Sequence, residues 1–147
     1  MQNIDIISKV LEILPTINQK YPHINFGGCG TFSYYLGSII QEKFNIDPEY
    51  VYIESDTAPF GKPDYDVKFS HILLKIDNWL LDNNGKYDTY YNSFKVLPKS
   101  KLHEMIHMPE LWNNVYDHSN SPNMVKDISK LIDGRIAFQL HRLPLYL

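Results

Sequence analysis

A single cysteine, Cys29, in 147 residues rules out an internal disulfide framework and makes a reducing compartment the simpler expectation. Arginine is nearly missing too: only Arg135 and Arg142 are present, the lysines are scattered, and the net charge is -3. Such a chain lacks the basic footprint of a nucleic-acid binder. No apolar run is long enough to span a bilayer. The first residues, MQNIDIISKVLEILP, lack a basic n-region and carry Asp5 and Glu12 within the apolar pattern. Neither a signal peptide nor a membrane partner is expected, and a cytoplasmic location follows, in a host cell or virion if the chain is phage-encoded. Seven glycines and nine prolines are too few for a low-complexity chain. Scarce alanine and arginine beside abundant isoleucine, asparagine, lysine and tyrosine fit an AT-rich genome such as that of a phage or low-GC bacterium. Hydrophobic residues at 44% and charged residues at 21% describe an ordinary globular chain, and no repeat or linker divides it. One domain over 1–147 is expected.

Ile4, Ile7, Val10, Leu11 and Leu14 recur at helical spacing, with Pro15 expected to end or kink the helix. QKYPHINFGGCG reads as a loop, and Phe32, Tyr35, Leu36, Ile39, Ile40 and Phe44 form a second helical stripe over 31–44. EYVYIES (49–55) alternates as a strand and DTAPFGKPDYD reads as a loop. DVKFSHILLKI (66–76) and WLLD (79–82) flank Asp77-Asn78 as a hairpin, closed beyond by Asn83, Asn84 and Gly85. Two short helical pieces around Pro109 follow a tyrosine-rich stretch, in which Tyr87, Tyr90, Tyr91 and Phe94 either line a cleft or cover the sheet. SPNMVKDISKLIDG reads as a helix with Ser121 as N-cap, Pro122 in the first turn and Gly134 past its end. RIAFQLHRL then alternates as a returning strand, and the apolar LPLYL end docks on the body or a partner. The order is that of an α+β fold.

Cys29 stands where a glycine-rich loop enters a helix, and a helix N-terminus lowers a thiol pKa. Gly28 and Gly30 let the backbone approach a ligand and offer amides to an oxyanion. The second device that activates a thiol is an imidazole on the sheet facing the helix, and His71 in SHILLKI is the candidate. Its tautomer needs a third group to fix it. A two-residue Asp77-Asn78 turn pairs Ile76 with Trp79 and Leu73 with Asp82, which puts Asp82 one diagonal step from His71 on the same face. Diagonal neighbours lie roughly 7–8 Å apart, whereas Asp77 would be about 20 Å away at ~3.3 Å per residue, and Asp88 falls beyond the turn. A three-residue loop would flip this parity.

GGCGTFSYYLGSII followed by HILLKIDNWLLDNNG resembles the papain-like superfamily in its transglutaminase-like, bacterial and phage branches. Cys29-Gly30-Thr31-Phe32, His71, Trp79, Asp82 and Gly85 carry the resemblance over roughly residues 25 to 88. It implies N-terminal helices with the cysteine at a helix start, packed on a small antiparallel sheet. It further implies a thiol-dependent hydrolase or acyl transferase with a Cys29-His71-Asp82 triad, no cofactor, and a protein or peptide substrate. Papain-type enzymes place an oxyanion glutamine shortly before the cysteine. Here that stretch reads His23-Ile24-Asn25-Phe26, so Asn25 or backbone amides would serve, with Trp79 as a further substrate candidate. The expected chemistry therefore widens from peptidase to amidase, deamidase or acyl transferase. A member of the fold that binds without catalysing is the alternative.

His103-Glu104-Met105-Ile106-His107 matches the H-E-x-x-H zincin motif literally. Leu102, Met105 and Ile106 form the apolar face there, so both histidines should face solvent. Pro98 and Pro109 limit the helix to about two turns, and none of Glu110, Asp117 and His118 is spaced as a third ligand. A solvated histidine pair is the favoured expectation, and a zinc peptidase the third functional reading.

Overall fold

A computed structural model describes residues 2–21, 24, 28–55, 69–88, 91, 93–107 and 121–142, with the backbone alone at 55, 69, 121 and 135–142. It is α+β: four helices and a five-stranded antiparallel sheet among the described residues. Helix α1 (Asn3–Lys20) opens with a capping box in which the Gln2 N–H donates to Asp5 Oδ2 at 3.2 Å. Its buried stripe is Ile6, Ile7, Val10, Ile13, Leu14 and Ile17, whereas Ile4 is 51% exposed. Contrary to expectation, α1 runs through Pro15. The last turn survives because tertiary contacts hold it: Ile17 is buried, Asn18 bonds Asn83, and Lys20 and Tyr21 both reach Asp127. Pro15 itself is exposed, so its ring displaces no core side chain.

Helix α2 (Cys29–Phe44) follows and stops at Asn45, which takes a left-handed conformation with φ 54. The strands are β1 (Glu49–Ser55), β2 (Phe69–Ile76), β3 (Trp79–Asp82), β4 (Gly85–Lys86) and β5 (Ser93–Leu97), in the order β4-β3-β2-β1-β5. Asp77-Asn78 is the expected two-residue turn, with Ile76 opposite Trp79 and Asp77 at φ 53. Residues 66–68 of the expected strand and the 56–65 loop lie outside the described residues. Strand β5, in the tyrosine-rich stretch, was not anticipated. An edge strand exposed at Ser93, Phe94, Lys95 and Val96 carries no clean alternation, so only its pairing with β1 defines it.

Helix α3 (Lys99–His107) packs on α2, and α4 (Ser121–Arg142) packs on α1 and α2. Helix α4 corrects two expectations: Gly134 is inside it, and RIAFQLHR of the expected strand continues the helix, Leu143 lying outside the described residues. The stripe Met124, Ile128 and Ile132 is fully buried and commits the segment to helix. Gly134 faces open space, where an interior glycine costs only ~1 kcal/mol. Pro109, the second helical piece after it, Tyr90 and the LPLYL end lie outside the described residues.

The sheet separates two apolar clusters. Ile72, Leu74, Ile76, Tyr50 and Leu81 face the helices, while Val51, Ile53, Leu73 and Tyr87 form the other side. Alternation along β2 therefore places His71 with Leu73, on the face away from the helical layer, not facing the helix as expected.

Small residues set how closely α2 approaches the sheet. Cys29, Ser33 and Gly37 follow one another at i, i+4 and i+8 on the face toward β2. A Cβ on Gly37 would stand 2.8 Å from Tyr50 Cε1 and 2.9 Å from Leu74 Cδ1, both in buried side chains. Gly37→Ala should therefore destabilise the fold by about 1–3 kcal/mol through overpacking. Urea unfolding followed by circular dichroism checks this, and an unchanged midpoint would contradict the close approach.

Candidate active site

The site begins where the β2–β3 ladder stops. In a two-residue hairpin Ile76 and Trp79 exchange backbone hydrogen bonds, and so do Leu74 and Leu81 two residues on. The next β2 residue with the same orientation is Ile72, whose strand partner would be Asn83. Asn83, however, lies in the Asn83-Asn84 turn, and β4 pairs back from Gly85 to Asp82. The edge of β2 is thus left open at Ile72, and the first turn of α2 closes it. Ser33 Oγ donates to the Ile72 carbonyl at 3.4 Å, and the Ile72 N–H donates to the Cys29 thiol. The nucleophile candidate is therefore hydrogen-bonded to a sheet edge as well as standing at a helix N-terminus. Gly30 permits the fit, since a Cβ there would meet Ile72 Cδ1 at 3.2 Å and Leu102 Cδ1 at 3.4 Å.

His71 and Asp82 meet from the far face. His71 Nε2 lies 2.9 Å from Asp82 Oδ2, with the histidine 6% and the aspartate 7% exposed. The other carboxylate oxygen, Oδ1, accepts the Asn84 N–H at 2.8 Å, so both oxygens are held. Because Nε2 is engaged by Asp82, Nδ1 is the nitrogen that bonds Cys29. The Asp82 turn is itself anchored. Asn18 Nδ2 donates to the Asn83 carbonyl at 2.6 Å, and Asn83 Nδ2 returns a bond to Asn18 Oδ1 at 2.9 Å. Tyr87 lies with its ring centroid 5.6 Å from that of His71 and is buried in the cluster on the same face. It keeps water from the His71–Asp82 bond, which strengthens the bond electrostatically.

Charge and burial compete at this site. Burial pushes the Cys29 thiol up, but the His71 hydrogen bond and charge, with the Ile72 and Gly30 N–H groups, hold it below its ordinary value. Burial likewise pushes His71 down, and the bonds to Asp82 and Cys29 with their charges overcome it, raising the imidazole to about 9. The opposite shifts are those of a thiolate–imidazolium pair. Cys29 as a whole residue is half-buried.

Three other candidates fare differently. The Gly28 N–H donates to Ile24 at 2.7 Å and its carbonyl accepts the Phe32 N–H at 2.9 Å. Gly28 is therefore spent on starting the helix and offers no amide to an oxyanion. The Gly30 N–H faces the thiol, and its missing side chain serves packing. Trp79 begins β3 at the end away from Asp82, on the opposite face by alternation, under Lys86 Nζ at 4.7 Å. It is not brought to the triad. Asn25 and His23 lie outside the described residues.

His103, Glu104 and His107 are exposed on α3, as expected of a solvated pair. The two imidazole rings stack at 4.0 Å, and His107 Nδ1 donates to the His103 carbonyl at 2.8 Å. Among the described residues no third His, Cys, Asp or Glu joins them in a metal-binding group. Glu110, Asp117 and His118 lie outside the described residues. No described helix is long and apolar enough to cross a membrane.

Sequence reasoning missed Ser33, Ile72 and the Asn18–Asn83 anchor, and of its two readings of Tyr87 the structure takes the one that covers the sheet. The Cys29, Ser33, Gly37 spacing was the available signal for a close helix contact. Comparison with protein-family models, curated proteins and solved structures found no match.

The thiol should alkylate with iodoacetamide at neutral pH far faster than a free cysteine, and the rate should stay high below pH 7. The pair should break as pH rises through about 9, where His71 loses its proton. His71→Ala should move the rise to a free-thiol pKa of about 8.5 or above, since burial then acts unopposed by the imidazole; identical profiles for wild type and variant would refute the pair. Asn18→Ala should cost about 1 kcal/mol of stability and move the wild-type alkylation profile toward that of His71→Ala. A stability loss with an unmoved profile would make Asn18 merely structural.

Proposed function

We propose that this chain is a thiol-dependent hydrolase or acyl transferase of papain-like architecture, with Cys29 as nucleophile, His71 as general base and acid, and Asp82 as the group that orients His71. The observation that carries it is that one imidazole, His71, is bonded both to Asp82 at 2.9 Å and to the Cys29 thiol. The substrate is a protein or peptide carrying an amide or ester carbonyl, and a chain whose one cysteine is free suits a reducing cytoplasm.

The Cys29 thiolate attacks the carbonyl carbon, forming a C–S bond while the carbonyl π electrons move to oxygen. The positive end of the α2 dipole stabilises that developing charge. Collapse of the tetrahedral species breaks the C–N bond, and the His71 Nδ1 proton goes to the leaving amine or ammonia. Neutral His71 then takes a proton from water or an acceptor amine, whose lone pair attacks the thioester carbon. Expulsion of the thiolate leaves His71 protonated and restores the ion pair. Asp82 accepts the Nε2–H throughout and keeps Nδ1 aimed at sulfur.

Incubation with p-nitrophenyl acetate should give a burst of p-nitrophenol and an acetyl adduct on Cys29 by peptide mass spectrometry. Cys29→Ala should abolish both. His71→Ala should slow acylation by about 10²–10⁴, and Asp82→Asn by less. A burst that survives Cys29→Ala, or wild-type protein that stays unacylated, would overturn the assignment.

A further inference from the structure

Helix α3 and the β1–β5 edge enclose a cavity of about 610 Å³ lined by Tyr52, Lys95, Val96, Leu97, Pro98, Lys101 and Met105. One cross-strand step separates it from the residue that anchors the Cys29 thiol. Tyr52 stands opposite Ile72 in the β1–β2 register, and Ile72 is the residue whose N–H holds the Cys29 thiol. Leu102 and Ile106, neighbours of the cavity's Met105 on α3, close over Gly30. The Tyr52 phenol is raised mainly by burial; a Ser70 hydrogen bond opposes the rise, and the Glu54 bond and the Glu54 and Cys29 charges add to it. That hydroxyl donates to Glu54 at 2.9 Å.

The lining has two parts. Tyr52, Leu97, Pro98 and Met105 offer apolar surface, with Met105 only 9% and Leu97 only 8% exposed. Lys95 and Lys101 supply two positive charges, and no carboxylate lines the cavity among the described residues. Lys101 Nζ is 3.9 Å from Glu104, at the outer limit of an ion pair, and both side chains stay nearly half exposed to solvent. A buried apolar floor under a cationic rim matches an apolar side chain preceded by an anion.

Resting on the thiol-enzyme reading, we propose that this cavity is the specificity pocket for the acyl side of the substrate. It takes an aliphatic side chain whose neighbouring residue carries a carboxylate, with Tyr52, Leu97 and Met105 holding the side chain and Lys95 and Lys101 the carboxylate.

Chloromethyl ketones of N-succinyl-leucine, N-acetyl-leucine and N-acetyl-glycine test it, since each is attacked by the Cys29 thiolate with loss of chloride. The leucyl reagents should inactivate with kinact/KI about tenfold above the glycyl one. The succinyl carboxylate should add about threefold at low ionic strength and less at high salt. The double variant Lys95→Gln/Lys101→Gln should erase the succinyl advantage and keep the leucine preference, while Met105→Phe, which fills the floor, should erase the leucine preference. Iodoacetamide, too small to use the cavity, reports the nucleophile alone. Rapid iodoacetamide alkylation with equal kinact/KI for all three ketones would overturn the pocket and leave the nucleophile standing. Slow alkylation at neutral pH, with no inactivation by any ketone, would overturn the enzyme reading and the pocket with it.

Discussion

The open backbone edge at Ile72 is the constraint on which the rest of the site depends. A buried peptide group needs partners for both its N–H and its carbonyl. The turn at Asn83-Asn84 takes away the strand that would supply them. Helix α2 supplies them instead, through Ser33 Oγ on the carbonyl and the Cys29 sulfur on the N–H. Satisfying the edge and positioning the Cys29 thiol are therefore one event. A side chain without a small polar atom at position 29 or 33 would leave a buried backbone group unpaired, at a cost of roughly 1–3 kcal/mol.

That arrangement explains how a histidine on the face away from the helices meets a cysteine from a helix. The thiol is bonded to the Ile72 N–H at the sheet edge, so a residue of either face of β2 stands within one position of it. His71 reaches it from one side while Gly30, Ile72 and Leu102 pack on the other. The electrostatics follow from the same geometry. Burial opposes the charged forms of both Cys29 and His71, and only their mutual contact, the Asp82 carboxylate and oriented backbone N–H groups reverse it. Tyr87 keeps the His71–Asp82 bond dry. The Asn18–Asn83 pair ties that bond to the last turn of α1, so the turn beyond Pro15 matters to the site.

The hairpin was the most legible part of the site. Asp77-Asn78 between two apolar runs permits one short turn type, and a two-residue loop fixes the register and the parity. Asp82 followed from that parity, and the Leu74–Leu81 pairing has it. The parity could not say which face the helices cover, because Ile72 and Leu74 on one side and Leu73 on the other are all apolar. Hence His71 was expected on the wrong face, and Trp79 was grouped with a triad it turns away from. Gly28 and Gly30 looked alike as loop glycines, yet one is consumed by a 2.7 Å bond to Ile24 and the other by packing. Strand β5 and the continuation of α4 depended on neighbours that no local pattern describes.

What the sequence by itself determined is local: two amphipathic helices, a hairpin of known register, a cysteine at a helix start, and a histidine and an aspartate in phase. These follow from periodicity and turn chemistry, which act over a few residues. Tertiary structure alone decided that the first residues of α2 would bond the open edge of β2, that Pro15 would be carried inside a helix, and that α3 and the β1–β5 edge would line a cavity one strand from Ile72. Each of these is a contact between segments distant in the chain. Its energy comes from burial and from pairing groups that have no partner in their own segment.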